Sequence, residues 1–277
     1  MYQYQTLEHT SYEQIAECFR AAFSDYYFSA DLSAAQLQKR LEMSGVDLAQ
    51  SYGAFQNGRL VGFLFNTRSV YNGQNAVFDA GTGVVPEHRG KQVFTRLFQF
   101  AEQQLARQNV QAYYLEVLQQ NRRAIRLYQR LGFSTRREYV VFKGDGQAAQ
   151  TLPFPVQEQE FSQFEVPAAN CRCVDPCFEH TTPVLKRTPQ LYRVWYRQAQ
   201  DGIAAFCVFE QESGAVVQMG YRDLSALGQI FQDLVSKFPA VIVKNVDTSY
   251  PEVLELLRSL RFQEVARQYE MSRELQA

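Results

Sequence analysis

One stretch, residues 78–133, constrains the fold more than any other part of the sequence. An apolar strand, Val77 to Val85, leads into the basic turn His88-Arg89-Gly90-Lys91. A helix follows, because apolar residues recur at i, i+4 spacing from Val93 to Leu105. A glycine turn between a strand and a helix N-terminus is typical of anion-binding sites, where unpaired N–H groups and the positive end of the helix dipole face the ligand. With two cationic side chains added, the turn predicts a ligand that carries phosphate.

The same stretch continues with a second strand and a second helix. The strand is predicted over Ala112 to Leu118, and the helix ends at Gly132. Gln119-Gln120-Asn121 is a polar break between them, and Asn121 is suited to cap a helix that begins at Arg122. The predicted order is therefore strand, basic turn, helix, strand, helix.

These residues resemble the GNAT family of acetyl-CoA-dependent N-acetyltransferases. The family's pyrophosphate loop has the form Arg/Gln-x-x-Gly-x-Gly/Ala after Val-x-Pro, and Val84-Val85-Pro86 and Arg89-Gly90-Lys91 match it. Gln92 and Phe94 replace the two small residues, a departure that raises the question of how closely the loop can approach a pyrophosphate. The later family positions are matched by Leu97, Leu115-Glu116-Val117, Asn121, Ala124, Ile125, Leu127-Tyr128 and Leu131-Gly132-Phe133.

The resemblance implies an N-acetyltransferase that moves an acetyl group from acetyl-CoA to a primary amine of an unidentified acceptor. It implies a backbone N–H near Val84, on a splayed fourth strand, that polarises the carbonyl oxygen. Gly81 and Gly83 either loosen that strand into a bulge or are turn and packing glycines. The residues expected to bind acetyl-CoA are Val84, Val85, Arg89, Gly90, Lys91, Gln92, Val93, Phe94, Asn121 and Tyr128.

Two side chains are candidates for catalysis. Tyr128 is expected to protonate the leaving thiolate, since a phenol of pKa about 10 can donate to a thiol of pKa about 8.5; the alternative is a core tyrosine with its hydroxyl at the edge. Glu116 interrupts an apolar strand, where a carboxylate is costly unless it is paired or faces a wet cleft. It is either the base that the resemblance implies or the partner of a nearby arginine.

A cluster of aromatic residues, Tyr26, Tyr27 and Phe28, interrupts the pattern between the first two predicted helices. By the resemblance, this loop forms the acceptor side of the site. The alternative is a hydrophobic contact that closes a domain interface.

The order of elements in the first half predicts a mixed α/β fold. Asn57-Gly58 and Asn72-Gly73 separate apolar runs and predict two hairpins between residues 52 and 85. The resulting order, β-α-α-β-β-β-α-β-α-β, is also the one that the GNAT resemblance implies. The fold class is thus α/β with a mixed α+β sheet, in a GNAT-like acyl-CoA N-acyltransferase fold.

The second half predicts a degenerate copy of the first. Lys244 to Phe262 aligns without a gap on Leu115 to Phe133 and keeps its apolar framework, but Tyr250 and Leu257 replace the residues equivalent to Asn121 and Tyr128. We therefore expect an acetyltransferase domain over residues 1–146, a linker over 147–160 and a degenerate GNAT-like domain over 161–277. This last domain offers apolar surface to bury against the first domain or against a second copy of the chain, in a homodimer.

Composition and charge narrow the partners. The formal net charge of -1 and the lack of a long basic run argue against nucleic acid, and no apolar run approaches the roughly 20 residues of a membrane span. Five cysteines and an N-terminus without signal-peptide features predict reduced thiols in the cytoplasm. Cys171-x-Cys173-x3-Cys177-x2-His180 lacks the paired spacing of structural zinc sites, so thiols are favoured over zinc and no metal is expected.

A second function class also fits the sequence. The replacements at Gln92 and Phe94 and the degenerate second half are compatible with a non-catalytic acyl-CoA-binding or interaction protein. Thiol release from acetyl-CoA in the presence of amines separates the two classes.

Overall fold

The structure, a computed structural model, describes residues 1–25, 31–145, 156–167 and 171–275. The strands, numbered along the chain, are β1 (Gln3–Thr6), β2 (Tyr52–Gln56), β3 (Arg59–Tyr71), β4 (Gln74–Val84), β5 (Ala112–Leu118), β6 (Ser134–Asp145), β7 (Gln157–Glu160), β8 (Arg172–Cys173), β9 (Tyr192–Ala199), β10 (Gly202–Glu210), β11 (Val216–Tyr221), β12 (Ala240–Asp247) and β13 (Gln263–Glu274). The helices are α1 (Tyr12–Ala22), α2 (Ala34–Met43), α3 (Val93–Ala106), α4 (Arg122–Arg130), α5 (Thr182–Leu185), α6 (Leu224–Lys237) and α7 (Pro251–Ser259). The mixed α/β fold class is confirmed.

The chain packs into two compact units that interleave along the sequence. The first unit contains Met1–Glu116, Leu127–Ser134 and Met271–Ala277. The second contains Val117–Arg126 and Thr135–Glu270. Most of β6 therefore belongs to the second unit, whereas the end of β13 belongs to the first. The domain division at 1–146, 147–160 and 161–277 was inferred from a sequence repeat and stays a prediction.

In the first unit, β1 to β5 lie side by side in chain order. Strands β1 to β4 are antiparallel, and β5 runs parallel to β4. Both predicted hairpin turns are confirmed, because Asn57, Gly58, Asn72 and Gly73 all have φ between 50° and 76°. Only residues that tolerate the left-handed region fit these two turns.

Helices cover both faces of the sheet in the first unit. α1 and α2 pack on Phe63 and Phe65 of β3. Tyr52, which contacts Phe100 of α3 edge to face at 5.8 Å, lies on the other face. Ser11 caps α1, and Ser33 caps α2 in a capping box, which fixes where both helices begin.

The second unit repeats this scheme with the strand order β6-β12-β11-β10-β9-β7. Helix α6 packs on this sheet through a core that includes Leu227, Phe231 and Phe209. Three strands, β7, β8 and β13, were not predicted. β7 falls in the predicted linker, and β13 carries a mostly polar sequence without an apolar run. In the described part of the chain, no helix is both long and apolar enough to cross a bilayer.

Candidate active site

The candidate site lies where β4 and β5 diverge. The two strands pair only from Ala76 to Phe78 of β4, which face Ala112 to Tyr114 of β5. Beyond this point β4 continues to Val84 alongside β3 alone, which leaves a cleft between β4 and β5. A parallel pair that separates in this way exposes backbone groups of both strands to a ligand.

A bulge in β4 marks the start of the cleft. Asn66 of β3 faces Asp79, and the preceding Phe65 faces Gly81, so Ala80 is an extra residue in β4. The bulge interpretation is therefore confirmed at Gly81. Gly83 instead allows close packing, because a Cβ there would lie 2.6 Å from the Phe63 ring.

The backbone of Val84 fits the predicted polarising role. The N–H of Val85 donates to the carbonyl oxygen of Val61 on β3 at 3.0 Å. Since successive N–H groups of a strand point to opposite edges, the N–H of Val84 points away from β3 and toward the cleft. This geometry supports a donor for a carbonyl oxygen, and the role itself stays a prediction.

The loop after β4 presents donors to an anion. Gly90 has φ +75° and Gln92 has φ +59°, so both are left-handed, and α3 begins directly afterwards. In the residues that the structure describes, the N–H groups of Val93, Phe94 and Thr95 have no acceptor. We call these three N–H groups the amide cradle. A pyrophosphate that binds at a helix N-terminus needs free N–H donors of this kind. The cradle therefore fits a ligand that carries phosphate groups.

Arg89 is engaged within the protein. Its Nε donates to the carbonyl oxygen of Val84 at 2.9 Å, and one terminal nitrogen donates to the carbonyl oxygen of Ala22 at 2.7 Å. The two terminal nitrogens also bind both carboxylate oxygens of Asp25. The guanidinium thus joins the loop to the end of α1, whereas Lys91 is exposed. A phosphate contact by Arg89 stays a prediction, and the geometry gives this residue a structural task in the loop.

Phe94 and Tyr128 form part of an aromatic cluster. Phe94 is buried and meets the Tyr128 ring edge to face at 6.0 Å. Phe133 also contacts Tyr128, with ring centroids 5.7 Å apart. The Phe94 side chain is thus turned into the protein and does not occupy the outer face of the loop. Tyr128 itself is half-buried, and its role as an acid stays a prediction.

Glu116 and Asn121 lie on either side of the end of β5. Glu116 is half-buried within the strand, and its role as a base stays a prediction. The side-chain oxygen of Asn121 accepts the N–H of Ala124 at 3.1 Å, so the predicted cap of α4 is confirmed. Its contact with the cofactor stays a prediction. Tyr26, Tyr27 and Phe28 lie outside the described residues.

Sequence reasoning missed Asp79, a carboxylate at the β4 bulge. Its oxygens accept the N–H of Gly81 at 2.9 Å and the hydroxyl of Thr82 at 2.6 Å. Burial raises the pKa of Asp79 to about 6, and these two hydrogen bonds oppose the shift. The available signal was an acid inside an otherwise apolar strand, two residues before a Gly-Thr-Gly sequence. A carboxyl group with a pKa near neutrality is suited to general-base catalysis.

The corresponding cleft in the second unit is filled by the chain itself. β11 and β12 are paired only at Val216 and Val243, and β8 occupies the edge of β11 that β12 leaves. The N–H of Val174 also donates to the carbonyl oxygen of Met219 at 3.1 Å. At the start of α6, the carboxylate of Asp223 accepts the N–H of Ser225 at 2.8 Å, where the first unit has its amide cradle.

The segment from Cys171 to His180 contains β8 and therefore takes part in filling the cleft of the second unit. The Cys177 sulfur lies 3.2 Å from Nδ1 of His180, and Asn245 donates to the same sulfur at 3.3 Å. Burial and the charge of Lys244 lower the pKa of His180 to about 3, so its imidazole is neutral at physiological pH. Within the described ranges, no three metal-ligating side chains come together.

The sequence profile of the acetyltransferase (GNAT) family matches residues 10–133. This part of the chain, which holds α1 to α4 and the cleft between β4 and β5, is similar to the acetyltransferases of that family. The profile ends at Phe133, one residue before β6 begins.

The whole chain has the fold of several solved structures. A GCN5-related N-acetyltransferase from Sphaerobacter thermophilus is 17% identical with a TM-score of 0.65, covering 100% of this chain and 96% of its own. A GCN5-related N-acetyltransferase from Anabaena variabilis is 14% identical with a TM-score of 0.63, and the match covers 100% of this chain and 73% of that one. A tandem GNAT protein from the clavulanic acid biosynthesis pathway is 11% identical with a TM-score of 0.63, covering 100% and 99%. The fold is a duplicated GNAT fold. A comparison with curated proteins gave no match.

Proposed function

We propose that this protein is an N-acetyltransferase that moves an acetyl group from acetyl-CoA to a primary amine of an acceptor still to be identified. The observation that carries the proposal is the cleft between β4 and β5 with the amide cradle of Val93, Phe94 and Thr95 beside it. Such a cleft offers backbone donors both to phosphate groups and to a carbonyl oxygen. The family match over residues 10–133 supports the same chemistry.

Acetyl-CoA supplies the activated acetyl group as a thioester. The amide cradle and the charge of Lys91 hold its phosphate groups, and Arg89 fixes the loop. Val84 offers its N–H to the carbonyl oxygen. The remaining proposed contacts come from Val85, Gly90, Gln92, Asn121 and Tyr128.

The transfer of the acetyl group then requires two proton transfers. As the amine nitrogen bonds to the carbonyl carbon and the carbon–sulfur bond breaks, the Tyr128 hydroxyl gives its proton to the departing sulfur. A carboxylate takes the proton that the amine loses. Glu116 is one candidate for this base. Asp79 is the other, because its pKa of about 6 leaves it ionised and still basic at neutral pH.

The test is thiol release from acetyl-CoA with a panel of primary amines. We expect release with at least one amine, and a turnover about 10²-fold lower in Tyr128→Phe with acetyl-CoA affinity nearly unchanged. Tyr269→Phe, a half-buried tyrosine in β13, is the matched control and should keep full turnover. A Tyr128→Phe variant with most of its turnover would make Tyr128 a packing residue.

The second candidate function is non-catalytic binding of acyl-CoA. It is favoured by Gln92, which stands in a left-handed conformation where the family motif has a small residue. Tight binding of acetyl-CoA with no thiol release for any amine would select this function. Cytoplasmic location and a homodimer are further proposals, tested by cell fractionation and by light scattering.

A further inference from the structure

Arg273 comes from the far end of the chain and packs into the first unit. One terminal nitrogen of its guanidinium donates to the carbonyl oxygen of Leu131, just after α4. The other pairs with the carboxylate of Glu102 on α3. The guanidinium also lies over the Phe98 ring of α3, 5.7 Å from its centroid. One side chain thus ties the end of α4 to the middle of α3.

The Leu131 contact leads directly to Tyr128. The N–H of Leu131 and the N–H of Phe133 both donate to the carbonyl oxygen of Tyr128 at 3.0 Å. Arg273 binds the same turn at Leu131, and its Cδ and Nε lie 3.6 Å from the place that a Cβ would take at Gly132. A cation at the last carbonyl groups of a helix is also favoured by the helix dipole. This turn therefore fixes the backbone of Tyr128 at the end of α4.

The aromatic cluster gives a second connection. Phe98, beneath the guanidinium, has its ring 5.3 Å from the ring of Phe133, which in turn contacts Tyr128. Both Arg273 and Glu102 are largely shielded, with side chains 28% and 20% exposed. A shielded ion pair holds its geometry better than one at the open surface, where such pairs contribute little.

We infer that Arg273 is a positioning residue, which holds the end of α4 against α3 and so places the Tyr128 hydroxyl in the catalytic cleft. The inference rests on the proposed acid role of Tyr128. It differs from the known features of the site because Arg273 lies outside the residues 10–133 that match the family.

The test is a double-mutant cycle on the intact chain. Arg273→Ala should lower turnover about 10- to 100-fold, the scale expected when a reacting group is displaced by about 1 Å. Its acetyl-CoA affinity, measured by calorimetry, should stay within about twofold, because the amide cradle does not involve Arg273. Tyr128→Phe combined with Arg273→Ala should be no slower than Tyr128→Phe alone, since the arginine acts through the tyrosine.

A conservative variant and a matched control test the role of the guanidinium itself. Arg273→Lys keeps the charge but not the planar donor group, so turnover should recover only in part. Arg267→Ala breaks an exposed pair with Glu264 on the same strand and should leave turnover unchanged. Amide exchange at Leu131 and Phe133 should rise in Arg273→Ala without any substrate, which checks the structural step apart from the activity.

Three results would overturn the inference, and they are distinguishable. Losses that add in the double mutant would show that Arg273 does not act through Tyr128. Unchanged exchange at Leu131 would show that it does not hold the turn. Full turnover of Tyr128→Phe would remove the acid role and the inference with it, whereas no thiol release by the unmodified protein would defeat the proposed function itself.

Discussion

Arg89 and Asp25 are joined by two parallel hydrogen bonds, of 2.6 Å and 2.9 Å, between the terminal nitrogens of the guanidinium and the two carboxylate oxygens. The same guanidinium binds the carbonyl oxygens of Ala22 and Val84. All three of its nitrogens are therefore used inside the protein. The loop that carries the amide cradle is attached in this way to the end of α1.

Asp25→Asn should weaken acetyl-CoA binding by about two- to fivefold, the scale for a half-exposed ion pair. The loss should depend little on salt, because it arises from a loosened loop rather than from a lost phosphate contact. Calorimetry at low and high ionic strength measures both the loss of affinity and its dependence on salt. Glu17→Gln is the control, since it breaks an exposed pair with Arg59 in the same unit. Unchanged affinity in Asp25→Asn would mean that the pair does not support the loop.

Gln92→Gly should stabilise the protein by up to about 1 kcal/mol, because a left-handed conformation costs a non-glycine residue roughly 1–2 kcal/mol and glycine loses part of this gain to chain entropy. It should also tighten acetyl-CoA binding, since the loop relaxes beside the amide cradle. Asn109→Gly is the matched control, with φ +58° outside the site. Thermal unfolding should move upward in both variants, and affinity only in the first. Weaker binding in Gln92→Gly would assign the Gln92 side chain a direct contact with the ligand.

The pH dependence identifies the base. A general base works only when ionised, so with Asp79 in this role kcat/KM should rise with pH through about 6 and level off above it. Asp79→Asn should remove this acidic limb and lower the plateau by 10²-fold or more. Glu116→Gln is the comparison. If Glu116→Gln removes the limb and Asp79→Asn retains it, the base is Glu116.

Each chain should bind one acetyl-CoA. In the second unit β8 already pairs with the edge of β11 that faces its cleft, and the Asp223 carboxylate occupies the start of α6. A pyrophosphate there would meet the negative charge of the Asp223 carboxylate and an edge of β11 that β8 already covers. Titration calorimetry on the intact chain gives the stoichiometry. A value near two would mean that the segment around β8 moves aside.

Local patterns predicted most of the secondary structure. The two Asn-Gly turns depend on a few neighbouring residues, and the structure confirms them. β13 was missed because its residues are largely polar and its partners are distant in sequence. Pairing between distant segments leaves no periodic signal in either one.

The candidate site could also be predicted only where its features are local in the sequence. The glycine turn and the cap at Asn121 are local features. Arg89 pairs with Asp25, which is distant in the sequence, and the pKa of Asp79 depends on burial. Neither feature can be inferred from the spacing of residues. Arg273 carries no signal in the sequence, because it lies far from the family motif.

The interleaved units have a consequence for synthesis on the ribosome. The first unit contains residues from Met271 onward, which are made only after the second unit has been translated. At roughly 5–20 residues per second, translation from Ser134 to Met271 takes on the order of ten seconds. During this time the nascent chain holds Tyr128 and the amide cradle but lacks Arg273. Full transferase activity should therefore appear only in chains translated past Arg273, and products that end before this residue should turn over at least about 10-fold more slowly.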